Sequence, residues 1–230
     1  MTVPMKRLLI LVCLSGTLLG ASAQDDPEYR MEVGGGLGLV SYEGDFSSSV
    51  TKGMQPMAAL IAKYRYNPRT AMALSLSYGK LKGSSTDVQT WYPGMAEAPY
   101  SFDNQLVDLS MRYEYNFWAY GTGREYYGAR RVAPFIALGL GLTYADAGKS
   151  VIAANLPIGA GVKVKLGERL NLTAEWTMHF SGSDELDGMK DPYGIKSSGL
   201  FKNTDCYSAL QLSLTYDIWA KCKTCNSDKE

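Results

Sequence analysis

His179 is the chain's one histidine, and Asp184, Glu185 and Asp187 follow it closely. An Asp and His pair can activate water for hydrolysis. No G-x-S-x-G elbow or other second catalytic motif accompanies this pair, so His179 is expected to be structural and the chain non-enzymatic. The same acidic stretch, extended by Asp191, offers oxygens to Ca²⁺ but lacks EF-hand spacing. It reads as a solvated loop. Cys222-x-x-Cys225 has the spacing of a local disulfide, a redox pair or half a metal site, and no second ligand pair exists to complete a zinc centre. A local bridge or a covalent contact to a partner is expected there. Cys206 lies a whole strand away from that pair, which in an oxidising compartment points to an intermolecular role. No cofactor, metal or small-molecule substrate is expected.

A larger set of chemically capable residues is spread along the chain: Arg30, Glu32, Lys63, Arg65, Asp108, Arg112, Glu114, Lys163, Lys165, Glu175 and Asp217. Their meaning depends on the elements that carry them. The chain opens with Lys6 and Arg7, an apolar run from Leu8 to Leu19 and Ala21-Ser22-Ala23, the three parts of a secretory signal peptide. Residues 1–23 are expected to be removed, Cys13 with them, leaving one domain over residues 24–230 with a short tail at 220–230. Loss of Lys6 and Arg7 leaves 21 basic against 23 acidic residues, a balance that gives no footprint for nucleic acid. Beyond the leader no apolar run reaches the ~18 residues of a spanning helix. A membrane crossing would have to be made by strands.

Eight segments alternate apolar and polar side chains with the period of a strand: Tyr29 to Ser41, Met57 to Tyr66, Ala71 to Gly79, Asn104 to Phe117, Pro134 to Tyr144, Leu156 to Leu166, Leu170 to Phe180 and Tyr207 to Trp219. In the fourth, Val107, Leu109, Met111, Tyr113 and Tyr115 oppose Asp108, Ser110, Arg112, Glu114 and Asn116. A soluble sandwich would not bury that charged face. Tyrosines near the segment ends, the even strand count and alternating long and short connections indicate apolar faces turned outward to lipid. The expected fold is all-β: an eight-stranded antiparallel up-and-down transmembrane β-barrel. The charged set then faces inward, where an eight-stranded barrel has room only for side chains, so it should form a paired plug rather than a pore or an active site.

With both termini periplasmic, connections at about 42–56, 80–103, 145–155 and 181–206 face outward, and tight turns at 67–69 and 167–169 face the periplasm. The connection from Trp118 to Val132 breaks the pattern, being long yet on the periplasmic side.

Particular motifs carry a resemblance. Gly34-Gly35-Gly36-Leu37-Gly38 with Tyr42-Glu43-Gly44-Asp45, Lys63-Tyr64-Arg65-Tyr66-Asn67-Pro68-Arg69, Tyr113-Glu114-Tyr115-Asn116-Phe117 and Pro157-Ile158-Gly159-Ala160-Gly161-Val162-Lys163 occur in this order. In order and spacing the chain resembles the PorG-like outer-membrane barrels of Bacteroidota. That resemblance implies a subunit of the type IX secretion system, associated with its periplasmic ring. An anchor or adaptor suits so narrow a barrel, and Trp, Tyr and Arg favour interface anchors. Trp118, Tyr120, Arg124, Tyr126, Tyr127, Arg130 and Arg131, with Cys222 and Cys225, are the expected contacts to ring proteins. The alternative is a general OmpA-like or OmpW-like surface barrel serving adhesion, envelope integrity or small-solute passage.

Overall fold

Alternating side chains with β-branched, aromatic and glycine residues favour extended backbone, and each segment finds its partner in the next one along the chain. In the computed structural model, which describes residues 29–43, 53–84, 101–121, 129–146, 150–183, 186 and 205–220, this yields eight strands. They are β1 (Tyr29–Glu43), β2 (Gln55–Asn67), β3 (Thr70–Ser84), β4 (Ser101–Asn116), β5 (Val132–Asp146), β6 (Ser150–Lys165), β7 (Leu170–Ser181) and β8 (Cys206–Ala220). Every neighbour is antiparallel, and β8 closes on β1. The leader, residues 44–52 and 85–100, and the tail beyond 220 lie outside the described residues.

The register fixes the barrel's dimensions. A path along paired residues from Val33 through Ala62, Leu74, Met111, Leu140, Leu156, Phe180 and Cys206 returns to β1 at Glu43, a stagger of 10 residues. With eight strands, this stagger tilts them by about 41° and sets a radius of about 8 Å. The lumen is therefore a side-chain-filled core.

The outer wall is apolar. Leu37 and Ile152 are each 73% exposed, and Leu60, Leu140 and Leu212 stand out beside them. A continuous band of this kind would aggregate in water, whereas hydrocarbon satisfies it and closure leaves no open sheet edge. The chain crosses a membrane with its strands. Tyrosines mark both borders of the band. At the end bearing the tight turns, Arg169 donates to the Tyr29 hydroxyl (2.7 Å) and to that of Tyr216 (3.3 Å), and it lies 4.6 Å over the Tyr29 ring. At the opposite, loop end Tyr78 donates to Gln105 Oε1 (3.4 Å), and Tyr144 shares a hydrogen bond with Ser150.

The expected strands all form, and the tight turns at 67–69 and 167–169 fall between them as expected, but two of the longer connections are shorter than the sequence indicated. The outward segment expected at 145–155 is almost entirely strand, because β5 runs to Asp146 and β6 begins at Ser150. Val151, Ala153 and Asn155 point inward and extend the β6 alternation, but apolar residues on both faces hide the contrast. Likewise β3 and β4 run to Ser84 and from Ser101, inside the segment expected to be loop at 80–103. There the polarity inverts: Leu81, Phe102 and Leu106 are inside, and Lys80, Lys82 and Asp103 are outside, with Lys82 3.3 Å from Asp103. At this tilt the 16 residues of β4 span roughly 40 Å, well beyond an apolar band of about 25 Å, so this hairpin leaves the membrane and becomes a water-facing sheet.

Candidate functional site: the barrel interior and its ends

The first interior layer, nearest the tight turns, is built around Arg65. Its guanidinium contacts Glu32 Oε2 (2.9 Å) and Asp217 Oδ1, and Asp217 also receives Lys165 Nζ (2.9 Å) and Asn171 Nδ2 (2.9 Å). Thr215 donates to Glu32. Above it, Glu114 bridges Lys63 (3.1 Å) and Lys163 (2.5 Å), and both ammonium groups lie over the Phe135 ring, at 5.7 and 4.7 Å. Arg112 pairs with Glu175 and donates to Thr177 Oγ1 (3.0 Å). Among the described residues, Lys63, Arg65, Arg112, Lys163 and Lys165 face Glu32, Asp108, Glu114, Glu175 and Asp217 inside the barrel, and Asp205 is a further buried carboxylate at the loop end. Charge pairing makes so polar a lumen tolerable in a membrane.

Asp108 heads a third layer in which charge gives way to neutral donors. Its Oδ2 accepts from the Tyr207 hydroxyl (2.9 Å), Thr143 Oγ1 (3.1 Å) and Asn155 Nδ2 (2.5 Å). Gly141 makes this possible, since a Cβ there would meet the Asn155 side-chain amide. His179 stacks on Tyr207 with ring centroids 4.4 Å apart, and its Nδ1 is 3.9 Å from Asp108. Beside them a cavity of about 10 Å³, bounded by Met57, Ser77, His179 and Tyr207, is no larger than the site of one water. Over this layer sits an apolar cap, with Val40, Tyr42, Met57, Leu81, Phe102 and Leu106 packed together. Tyr42 meets Phe102 edge-on at 5.0 Å and donates to Asp205, whose other oxygen accepts from the Leu186 amide (2.8 Å). Val40, Met57, Leu106 and Tyr207 lie within the expected strands, and Tyr42, Leu81, Phe102 and Asn155 lie one or two residues beyond their ends, where continuing the alternation puts them inside.

A lumen closed at each level, inside an apolar wall of stagger 10, is a plugged membrane barrel. Residues 6–227 match the family model described as a domain of unknown function, DUF6089. The chain belongs to that family. No curated protein matches it. Among solved structures this DUF6089 barrel is similar to neisserial surface protein A at 13% identity, covering 82% of this chain and 97% of that one, with a TM-score of 0.52. It is also similar to OprG of Pseudomonas aeruginosa (10% identity, 86% and 100% covered, TM-score 0.48) and to Ail of Yersinia pestis (12%, 84% and 100%, 0.44). The first likeness places the fold among outer-membrane eight-stranded barrels.

Of the residues expected inside, Arg30 does not join the DUF6089 plug. It is the second residue of β1, beyond the last interior layer, and it donates to Tyr64 on the outer face (3.3 Å). Tyr120, expected as a partner contact, is instead 1% exposed. The β4–β5 connection folds back beneath the barrel, where the Tyr120 amide donates to the Pro68 carbonyl (2.9 Å), and the side chain closes the lumen. Its hydroxyl donates to Asn171 Oδ1 (2.8 Å), and its ring faces Lys163 and Lys165 at 5.8 Å and Arg65 at 6.0 Å. Burial and the surrounding carboxylates raise its pKa and hold the phenol protonated. Trp118 and Arg130 do stay at the surface, stacked at 4.5 Å, and Arg131 is exposed. Arg124, Tyr126, Tyr127, Asp184, Glu185, Asp187, Asp191, Cys222 and Cys225 lie outside the described residues. Cys206 opens β8 opposite Glu43 and Phe180.

Proposed function

We propose that this protein is exported by a leader over residues 1–23, sits in the outer membrane with both termini in the periplasm, and acts as a non-enzymatic anchor. The observation that carries this reading is the filled, charge-paired lumen closed by Tyr120: such a barrel passes nothing through itself and has only its ends to work with. The motif order shared with PorG-like barrels makes the periplasmic ring of a type IX secretion system the preferred partner. Trp118, Arg130 and Arg131 offer it a stacked, exposed surface. Arg124, Tyr126, Tyr127 and the Cys222 and Cys225 tail complete the proposed contact.

The test is affinity purification of the full barrel from its host. Alanine at Trp118, Arg130 and Arg131 should deplete periplasmic ring proteins from the eluate while the barrel still folds. Undiminished recovery of those proteins would refute docking at this end. A second reading, a general surface barrel, is favoured by the β3–β4 hairpin projecting past the apolar band with Lys80 and Lys82 outward. Deletion of the gene separates the two: cargo secretion fails under the first and persists under the second.

A further inference from the structure

The outer wall is not evenly convex. Between β4 and β7 it is recessed into a groove of about 1190 Å³, walled by Tyr115 on one side and Trp176 and Phe180 on the other. Its floor is Ala160, which pairs with Ile136 and Trp176 and leaves only a methyl group between two large neighbours. The groove reaches the tight-turn end at Asn67, Arg69 and Thr70. There the Asn67 side chain accepts from the Arg69 and Thr70 amides (2.8 Å each), which fixes the turn, and the Arg69 residue is exposed. Among the described residues no carboxylate lies within ion-pair distance of Arg69.

A second cation shares this corner. The Asn116 amide donates to the Arg69 carbonyl (2.7 Å), the Tyr120 amide to Pro68 and the Arg130 amide to Ala119 (2.9 Å), so the β4–β5 connection is tied to the β2–β3 turn. Arg130 lies 4.5 Å over the Trp118 ring. An apolar trough that ends on Arg69, with the exposed Arg130 tied by backbone bonds to the same turn, has the polarity of one molecule in particular: acyl chain, then phosphate. Guanidinium groups bind phosphate oxygens in bidentate fashion and lose little by doing so at an interface. A second copy of this chain in the groove would instead set arginines against arginines.

We infer that the groove is a binding site for one glycerophospholipid, with its acyl chains on Ala160 and Trp176 and its phosphate between Arg69 and Arg130. Arg130 also belongs to the contact proposed for ring proteins, so the site is read by lipid retention in the isolated barrel, where no ring protein is present. It is tested by native mass spectrometry of the barrel extracted in mild detergent, delipidated and titrated with phosphatidylglycerol and phosphatidylethanolamine. The wild-type barrel should retain one lipid through detergent exchange. Arg69→Gln with Arg130→Gln should lower that retention about tenfold. Ala160→Phe, which fills the groove with an apolar ring, should lower it similarly, and Ala58→Phe on the outer face of β2 should not. Equal retention in the Ala160→Phe and Ala58→Phe barrels would overturn the site, as would photocrosslinking of a protein rather than lipid to groove positions in cells. If Ala160→Phe fails to fold, the arginine pair, confined to the turn end, decides alone.

Discussion

Glu114 offers the sharpest test of the plug. It is 0% exposed, and its two oxygens are the carboxylate contacts of Lys63 and Lys163, themselves 2% exposed. Glu114→Gln keeps the shape, removes the negative charge and turns an amide NH₂ toward an ammonium group. Breaking one buried pair by removing a partner costs roughly 3–5 kcal/mol. Here one change strands two cations, and the Phe135 face beneath them is already present in the wild-type protein, so the loss should lie near the top of that range, about 5 kcal/mol. The assay is reversible urea unfolding in lipid vesicles, followed by tryptophan fluorescence. The companion variant replaces all three groups at once, Lys63→Met, Glu114→Leu and Lys163→Met. Swapping a whole buried network for apolar side chains is neutral to stabilising by about 1–4 kcal/mol. A loss under about 1 kcal/mol in Glu114→Gln, or a triple variant worse than the single, would refute the view that charge pairing rather than packing decides stability at this level.

Leu140 is 66% exposed at mid-band on β5, so Leu140→Arg should cost about 2–4 kcal/mol in vesicle unfolding; a neutral result would mean that the apolar wall does not face hydrocarbon. Tyr120→Phe should cost about 1 kcal/mol through the lost bond to Asn171, and Tyr120→Ala about 3–5 kcal/mol, with planar-bilayer recordings showing no conductance for the wild-type barrel. Gly141→Ala should displace the Asn155 amide from Asp108 and lower stability by about 1–3 kcal/mol, read by the same unfolding assay.

The strands were legible because a membrane barrel writes its two faces in opposite polarity, and Leu109, Met111 and Tyr113 against Asp108, Arg112 and Glu114 leave little choice of orientation. Legibility ended where that contrast ended. At Leu81 and Phe102 the apolar residues turn inward and the lysines outward, so a rule tuned to lipid reads the continuation of the strand as loop. Apolar residues on both faces from Val151 to Ala154 blur the contrast in β6 for a different reason. The inward charges were readable as a set, but their pairing was not, because Lys63 and Glu114 meet across the lumen from strands that are not neighbours. Tyr120 shows the limit most clearly. The residue types that make an interface anchor also make a plug, and only the backbone path past Pro68 distinguishes them.

In the sequence His179 is followed by Asp184, Glu185 and Asp187, but the carboxylate nearest it among the described residues is Asp108, and the geometry of that pair argues for support. A general base needs a hydrogen-bond path to a reacting proton. Asp108 Oδ2 already accepts from Tyr207, Thr143 and Asn155, and the apolar cap of Val40, Tyr42, Leu81 and Phe102 lies between this layer and the loop end. His179 Nδ1 makes no hydrogen bond among the described residues, so what the imidazole contributes is its stacked face against Tyr207. The two residues should then respond differently. His179→Phe keeps an aromatic face on Tyr207 and should shift unfolding by no more than about 1 kcal/mol. Asp108→Ala removes the acceptor shared by three buried donors, which keep only their bonds to one another, and should cost about 2–3 kcal/mol. Equal losses in the two variants would show that His179 and Asp108 act as a coupled pair, and would reopen the case for chemistry at this layer.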